Sequence, residues 1–433
     1  MAKESNMKMT EVGLIPSDWD ICSVGGEFSF LRNNSFSRDQ LNYSEGRIKN
    51  VHYGDILVEF GEIVDARKTT LPFINNGINV VLSPKNQLQD GDIIIADTAE
   101  DETAGKACEI QGLKNQQVVS GLHTMPIRHT NRSFAPGFLG FAFNSALYHE
   151  QLLSLMQGTK VVSVSKRAIQ DTFLVFPPYE NEQNRIAKAL QEISILISSV
   201  EKAIFKKRLI KEGSIQRLIT GSIRLEGFND SWVEKCIGEI GHTYSGITGK
   251  SKSDFGHGSC RYITFLNVLN NPYINTDILE QVDIDPLSEN QNEVRKGDLF
   301  FNTSSETPED VGTCSTLLTD VENVYLNSFC FGYRLEDEEM SGLFLSYYFR
   351  SSIGRKEMTM LAQGATRYNL SKENFNKIVI TVPPTKKEQD RIAGILTAMD
   401  KEIAALEAER DKYKNIKQGM MQKLLTGQIR LPV

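Results

Sequence analysis

The residues whose types and spacing could support chemistry are few, and they lack the partners that a reaction needs. Phe176-Pro-Pro-Tyr resembles the motif in which an Asn or Asp before two prolines holds the target amine of a methyl transfer, but Phe176 occupies the polar position, as Val382 does in a second run. The run GITGKS at 246–251 resembles the end of a phosphate-binding loop, yet Tyr244 stands where that motif requires glycine. We therefore predict no catalytic and no cofactor-binding residue.

Metal-binding patterns are also missing from the sequence. The six cysteines include no C-x-x-C pair, and the six histidines include no H-E-x-x-H spacing. The acidic clusters at 100–102 and 306–310 are more typical of solvated loop tips than of metal sites. No metal site is predicted.

Short polar and basic runs offer side chains of the types that read DNA. Arg, Lys, Asn, Gln, Ser and Thr contact base edges, and basic residues contact phosphates. In the amino-terminal part the candidates are Arg32, Asn33, Asn34, Ser35, Arg38, Arg67 and Lys68. Later in the chain they are Lys160, Lys166, Arg167, Lys250, Lys252, Arg367 and Lys372. Each run taken alone is more typical of a surface turn.

The elements that must position these residues occur twice. Residues 157–225 and 363–431 are two copies of one text at a constant spacing of 206 residues, which also pairs Gly91-Asp92 with Gly297-Asp298. Trp19 and Trp232 are spaced by 213, so seven residues were gained or lost between Trp and Gly-Asp. Each repeat therefore has a divergent front portion and a well-kept rear portion.

The rear portion predicts a strand, a pair of prolines and a long helix. The strands are expected in 171–178 and 377–384, where the proline pairs end them. Apolar residues at heptad spacing follow in both copies. The residues singled out for these helices are Glu182, Gln183, Arg185, Ile186, Leu190, Ile193 and Ile197 in the first copy, and Glu388, Gln389, Arg391, Ile392, Leu396, Met399 and Ile403 in the second.

Two such helices in one chain most simply form an antiparallel coiled coil that separates two globular domains. The alternative is two independent coiled coils, each pairing with another subunit. The front portions predict mixed α/β structure, with strands in 46–60, 91–97, 260–269, 297–303 and 328–335, and helices in 138–156 and 342–361. The predicted fold class is α+β (mixed α/β), with segments 1–150, 151–225, 226–350 and 351–433 and a pseudo-twofold internal repeat.

Charge follows the same division. The net charge is −6 over residues 1–150 and −13 over 226–350, but +6 over 151–225 and again over 351–433. The basic segments indicate either Lys-rich solvated helices or a surface that faces phosphates. No window of about 18 apolar residues is present and the first residues lack an apolar core, so we expect no membrane association and a cytoplasmic location.

The repeated texts PPYENEQNRIAKAL and PPTKKEQDRIAGIL resemble the specificity subunits of type I restriction-modification systems. Each is preceded by Q-G-x and S-K and is closed by Q-[RK]-L-[IL]-T-G-x-I-R-L, and the resemblance covers nearly the whole chain. It implies two target recognition domains that each read half of a bipartite, asymmetric site in double-stranded DNA.

The resemblance also implies which partners carry the chemistry. The two helices would dock two modification subunits, which are adenine methyltransferases, and restriction subunits would join the full complex. S-adenosylmethionine, ATP and Mg²⁺ would belong to these partners. Because acidic domains bind phosphates poorly, we expect the isolated chain to bind DNA weakly. The modification subunits are expected to supply many of the contacts to the DNA backbone.

Two other functions are compatible with parts of the sequence. One is a solitary DNA methyltransferase, which the missing cofactor loop and the missing acid or amide before Pro-Pro argue against. The other is an adaptor that pairs subunits through its helices and no longer reads DNA.

Overall fold

The computed structural model describes residues 7–364 and 366–431, and the chain divides into two compact units. The first unit comprises Met1–Glu201 with Ala408–Val433, and the second comprises Lys202–Glu407. Residues 1–6 and 432–433, at the outer ends of the predicted segments 1–150 and 351–433, lie outside the described residues. Each unit contains one front portion, the strand that follows it, and one end of each long helix.

The first unit is built on two small sheets. The larger has five strands in the order Phe28–Phe30, Thr124–His129, Ile93–Ala96, Ala107–Gln111 and Ile63–Asp65. The last strand is parallel to its neighbour and the others are antiparallel. The second sheet has the order Gln117–Ser120, Ile48–Val51, Phe73–Ile74 and Leu41–Asn42.

Short pairs and helices complete the first unit. The paired strands are Met7–Thr10 with Gly13–Pro16, Asp20–Ser23 with Phe173–Phe176, and Thr98–Ala99 with Val162–Ser163. The short helices are Val24–Glu27, Arg38–Gln40, Tyr53–Val58, Phe138–Ala142, Ala146–Leu153 and Lys166–Gln170. Its main core includes Trp19, Phe138, Tyr148 and Phe176, all fully buried.

The second unit repeats this arrangement. Its main sheet has the order Gly241–Ser245, Cys330–Leu335, Leu299–Asn302 and Cys314–Thr316, all antiparallel. The second sheet has the order Glu280–Val282, Phe255–Ile263 and Val324–Leu326. The other strands are Val233–Cys236 with Val379–Val382, and Ser304–Ser305 with Tyr368–Leu370 and Ala362–Gln363. The short helices are Ile237–Ile240, Lys252–Asp254, Phe265–Asn270, Thr276–Ile278, Gly342–Arg350, Ser352–Leu361 and Lys372–Phe375.

The predicted mixture of helices and strands is confirmed, but two predicted strands are partly helical. The runs 46–60 and 260–269 each form a strand and then a short helix, Tyr53–Val58 and Phe265–Asn270. The reason is local capping: the His52 side chain accepts a hydrogen bond from the Gly54 N–H, and Thr264 accepts one from Asn267. Ser145 and Ser351 likewise cap new helices within the predicted helical runs 138–156 and 342–361 and divide each into two.

The repeated Gly-Asp pair marks a buried ion pair in each sheet. Asp92 and Asp298 are each 1% exposed. The Arg128 guanidinium binds Asp92 at 2.6 Å, and the Arg334 guanidinium binds Asp298 at 2.6 Å. Because a buried carboxylate is costly without a partner, this pairing explains why Gly-Asp is the best-kept feature of the divergent front portions.

The two long helices begin directly after the proline pairs, as predicted. The first spans Glu180–Ile219 and the second Lys386–Leu424. In the first unit Glu201 pairs with Lys414 at 2.9 Å, and in the second Lys207 pairs with Glu402 at 2.6 Å. Glu182 also pairs with Arg430 in the first unit, and Lys211 with Asp400 in the second. Within each unit, later residues of one helix therefore face earlier residues of the other, so the two segments are antiparallel. No helix in the described part of the chain is both long and apolar enough to span a bilayer.

Four residues that the sequence assigned to subunit docking are instead internal. Glu182 and Gln183 are 9% and 2% exposed, and Glu388 and Gln389 are 1% and 0% exposed. The Gln389 side chain donates to the Pro383 carbonyl and accepts from the Ser341 N–H, each at 2.9 Å, and Gln183 makes the equivalent contacts in the first unit. These four side chains lie in the long helices, as predicted, and their contacts are with their own unit; a docking role for them stays a prediction.

The glutamates of this signature pair with arginines from the other repeat. Arg430 donates to Glu182 at 2.7 Å, and Arg224 donates to Glu388 at 3.0 Å. Each guanidinium also lies over a tryptophan ring, 5.7 Å from Trp19 for Arg430 and 5.8 Å from Trp232 for Arg224.

The remaining residues predicted for the long helices differ in exposure. Ile186, Leu190, Ile197, Ile392, Leu396 and Ile403 are buried; Arg185, Ile193 and Met399 are half-buried; Arg391 is exposed.

We predict that Arg224→Ala lowers the free energy of unfolding by about 3 kcal/mol, because it leaves the Glu388 carboxylate buried without a partner. Urea denaturation followed by tryptophan fluorescence measures the loss. Lys377→Ala is the matched control, since Lys377 and Glu373 form a largely exposed pair whose removal costs about 0.5 kcal/mol or less. Equal midpoints for both variants would contradict the role given to Arg224.

Candidate nucleic-acid interface

One end of the main sheet in the first unit gathers four polar segments. They are 31–38, 97–98, 121–123 and 157–167, which we call the first loop face. The Asn34 N–H donates to the Ser120 carbonyl at 3.0 Å, and the Asp97 N–H to the His123 carbonyl at 3.1 Å. The Val164 N–H donates to Asp97 at 2.8 Å, and the Lys166 ammonium lies 4.7 Å from the Phe30 ring. Segments distant in sequence thus form one surface.

The second unit has the equivalent surface, which we call the second loop face. It consists of residues 245–252, 303–305, 327–329 and 366–372. The Ile247 N–H donates to the Leu326 carbonyl at 2.7 Å, and the Thr303 N–H to the Phe329 carbonyl at 2.9 Å. The Arg367 side chain donates to Ser304 Oγ at 3.3 Å. The two loop faces therefore have the same framework and different side chains.

A lysine occupies the same place in both loop faces. Lys166 and Lys372 are each the first residue of a short helix that Ser165 or Ser371 caps. The Lys372 ammonium donates to Ser245 Oγ at 3.1 Å and lies 5.9 Å from the Phe331 ring. Partial burial lowers the pKa of Lys372, because desolvation disfavours its charged form. A nearby phosphate would offset that cost.

The predicted polar run 31–38, which follows the strand Phe28–Phe30, contains both exposed and internal side chains. Arg32, Asn33 and Ser35 are exposed on the first loop face. Asn34 instead donates to the Ser120 carbonyl at 2.8 Å and accepts from Asn50. Arg38 is half exposed and pairs with Asp55, which is 2% exposed. Asn34 and Arg38 therefore hold the loop in place.

The basic candidates in the other segments of the loop faces divide in the same way. Lys160, Arg167, Lys252 and Arg367 are exposed, and Arg167 lies 3.7 Å from Asp171. The Lys250 side chain is only 13% exposed and its ammonium pairs with Glu289 at 2.6 Å. Lys250 thus lies on the second loop face but is already neutralised.

Arg67 and Lys68 lie at the opposite end of the sheet from the first loop face. They follow Ile63–Asp65, which is parallel to Ala107–Gln111 and therefore ends beside the start of Ile93–Ala96. Both pair with Asp65, and hydrogen bonds from Arg67 lower the pKa of that carboxyl to about 2. The structure does not place these two residues with the other candidates.

Sequence reasoning missed two residues at the turn before the sheet's second strand. His123 in the first unit is 47% exposed at its side chain and has a φ of 52°, and Phe329 in the second unit is 56% exposed. The run SFCFGYRL was predicted as one strand, but the strand begins only at Cys330. The Asn and Gly residues ahead of these positions were the only signal of a turn.

A glycine closes the hairpin that carries Lys160. Gly158 has a φ of 111°, and a Cβ atom there would lie 1.9 Å from the Val161 carbonyl oxygen. The Gln157 and Ser163 backbones exchange two hydrogen bonds at 3.0 and 2.8 Å across this loop. Gly364, with a φ of 140°, holds the corresponding position in the second unit.

We predict that Gly158→Ala destabilises the hairpin by about 1–3 kcal/mol, because alanine is strained at this φ and clashes with the Val161 carbonyl. Hydrogen exchange should quicken in residues 157–163 and in the paired Thr98–Ala99. Gly213→Ala, in the exposed interior of the first long helix, is the control and should stabilise by about 0.5–1 kcal/mol. Unchanged exchange in Gly158→Ala would refute this assignment.

Comparison with known proteins finds similarity to specificity subunits of type I restriction enzymes. The model for the type I restriction modification DNA specificity domain matches residues 229–417. A subunit assigned as the MjaX type I restriction enzyme specificity subunit of Methanocaldococcus jannaschii is 24% identical, over 99% of this chain and 98% of that one. The fold matches the type I restriction-modification S subunit of M. genitalium with a TM-score of 0.58 at 14% identity, covering 98% and 97% of the two chains.

A further solved chain matches with a TM-score of 0.52 at 16% identity, covering 96% of this chain and 99% of that one, in a structure described as explaining complex assembly and conformational transition of the type I R-M system. The family model covers most of the second front portion and most of its rear portion, while the M. jannaschii relative extends the similarity over the whole chain. The resemblance inferred from the repeated motifs is confirmed: residues 229–417 match the model of the type I restriction modification DNA specificity domain, and the whole chain is similar to a type I specificity subunit.

Proposed function

We propose that each unit reads one half of a bipartite, asymmetric site in double-stranded DNA with its loop face. The observation that carries the proposal is the equivalent placement of Lys166 and Lys372 beside loops that differ between the units. A basic residue at a fixed place positions a duplex through its phosphates without reading sequence. Loops of different composition on one framework supply two different sequence preferences.

The exposed side chains of each loop face suit this division of labour. In the first unit Arg32, Asn33 and Ser35 offer hydrogen-bonding groups for base edges. Lys160 is exposed on the same loop face and is available to contact a phosphate of the DNA backbone. In the second unit Lys252 and Arg367 take the basic role. Arg67, Lys68 and Lys250 are left out of the proposed interface because of their location or pairing.

The long helices serve, in this proposal, as a spacer and as the docking site for two modification subunits. Since the Glu-Gln signature is internal, docking must use the exposed helix surface. Ile195 in the first unit, and Phe205 and Leu209 in the second, are 59%, 65% and 52% exposed. Apolar residues at this exposure on a helix are typical of a surface that a partner covers.

The partners then carry the chemistry. We propose that S-adenosylmethionine, ATP and Mg²⁺ bind the modification and restriction subunits, that this chain contributes no catalytic group, and that the assembly works in the cytoplasm. The modification subunits close around the duplex and add backbone contacts that the acidic front portions do not supply.

Methylation mapping tests the function directly. DNA from a host that expresses the chain with its neighbouring modification subunit should contain modified adenines in two short motifs at a fixed gap, and this pattern should vanish when the chain is deleted. Exchange of residues 226–350 for those of a relative should change one motif only. An unchanged motif after that exchange would favour a scaffold, and methylation by the purified chain alone would favour a solitary methyltransferase.

The lysine pair gives a quantitative prediction. Lys166→Ala and Lys372→Ala should each weaken binding of the assembled complex to all sequences, and each should reduce the slope of log affinity against log salt by about 0.9, the value for one lost phosphate contact. Lys296→Ala is the control, because Lys296 precedes the start of Leu299–Asn302 at the end opposite the loop face. Fluorescence anisotropy with and without the modification subunit separates these contacts from those of the partner. An equal slope change in the control would refute the assignment.

A further inference from the structure

The turn before Cys330–Leu335 presents an apolar ring on an otherwise polar surface. The Phe329 side chain is 56% exposed, and the second loop face around it contains Thr303, Ser304 and Lys372. Phe331, two residues later, is fully buried. Phe329 is thus the last residue of the loop face before the chain enters the core.

Hydrogen bonds hold this turn rigidly in place. The Phe329 carbonyl accepts from both the N–H and the hydroxyl of Thr303, at 2.9 and 2.8 Å. The Phe329 N–H donates to Asn327 Oδ1 at 2.9 Å. Asn327 is itself 6% exposed and donates to the Ile263 carbonyl at 3.0 Å. The exposed ring is therefore carried by a fixed backbone, which favours recognition because little conformational entropy is lost on binding.

The first unit has a different side chain at the structurally equivalent position. Thr124 pairs with Ala96 and Cys330 pairs with Asn302, so the residues just before them, His123 and Phe329, correspond. The Asp97 N–H donates to the His123 carbonyl at 3.1 Å as the Thr303 N–H does to Phe329. One framework thus presents an imidazole in one unit and a phenyl ring in the other.

The two rings would read different features of a base pair. An imidazole exchanges hydrogen bonds with base edges, whereas a phenyl ring has none to offer. The apolar group exposed in the major groove is the C5-methyl group of thymine, and aromatic side chains contact it. Contact between that methyl group and Phe329 would remove apolar surface on both sides from water.

We propose that Phe329 is a specificity-determining residue that selects thymine, through its C5-methyl group, at one position of the half-site read by the second unit. This inference rests on the proposed function. His123 gives the half-site of the first unit no such methyl preference, so this pair of residues contributes to the asymmetry of the whole site.

The test uses the complex of the full chain with its modification subunit and a duplex that contains the mapped site. Each thymine is replaced in turn by uracil, which removes only the methyl group. Replacement at one position of the second half-site should weaken binding of the unchanged protein about fourfold, which corresponds to about 0.8 kcal/mol. Phe329→Ala should bind thymine and uracil duplexes equally, and Phe329→Leu should retain part of the difference.

Two control variants separate this role from others. His123→Ala should leave the uracil effect at that position intact, and so should Met360→Ala, which removes a 69% exposed side chain outside the loop face. A half-site without thymine, or a Phe329→Ala complex that still discriminates uracil, would overturn the proposal. A third outcome would also overturn the proposal. If the unchanged protein does not discriminate thymine from uracil, and Phe329→Ala loses the same affinity for both duplexes, the ring inserts between base steps instead of contacting the methyl group. Failure of the unchanged complex to bind the duplex at all is a separate result that refutes the proposed function.

Discussion

Each unit is closed by an ion pair between a glutamate of one sequence repeat and an arginine of the other. Glu182 binds Arg430 in the first unit, and Glu388 binds Arg224 in the second. The glutamate lies in the first turn of one long helix and the arginine follows the end of the other, so each unit contains residues from both repeats. Because the carboxylates are buried, losing either arginine would leave each of them without the partner that compensates its charge. This exchange explains why the texts around both residues are the best preserved in the chain.

Because these ion pairs fix the ends of the long helices, the two front portions can differ in the side chains of their loop faces without changing the framework. The sheets keep their order, and Asp92 with Arg128, or Asp298 with Arg334, fixes the end of each sheet remote from the loop face. The loops at the other end are held by contacts that differ between the units, such as Arg38 with Asp55 in the first and Lys250 with Glu289 in the second. A fold that stabilises one end of a sheet and varies the other is well suited to changing a recognised sequence without changing the scaffold.

The sequence predicted the elements with strong periodicity and missed those set by tertiary partners. Heptad spacing and proline pairs located both long helices, and the constant offset located equivalent residues. The internal role of Glu182 was not predictable, because its partner Arg430 lies 248 residues away. Pairing of Lys250 with Glu289 depends in the same way on a distant loop. Phe329 lies in an apolar run that looks like one continuous strand. A hydrogen bond from its N–H to Asn327 keeps it in the turn, and the strand begins only at Cys330.

Net charge is a poor guide to whether such a unit can bind DNA, because charges at the two ends of a sheet act over different distances. The acidic residues 336–339 follow Cys330–Leu335 at the end remote from the second loop face. A strand of that length spans about 20 Å at about 3.4 Å per residue, more than twice the screening length of about 8 Å at physiological salt. Those carboxylates therefore barely repel a phosphate beside Lys372. The cluster at 306–310 is different, since the Asp310 carbonyl accepts from Asn302 at the loop end of the sheet. Added salt weakens the lysine contacts and also relieves repulsion from this cluster, so the salt dependence of binding by the chain alone is shallower than its phosphate contacts imply. Under the proposed function, the modification subunits would have to offset the charge of that cluster, because it lies at the same end of the sheet as the second loop face.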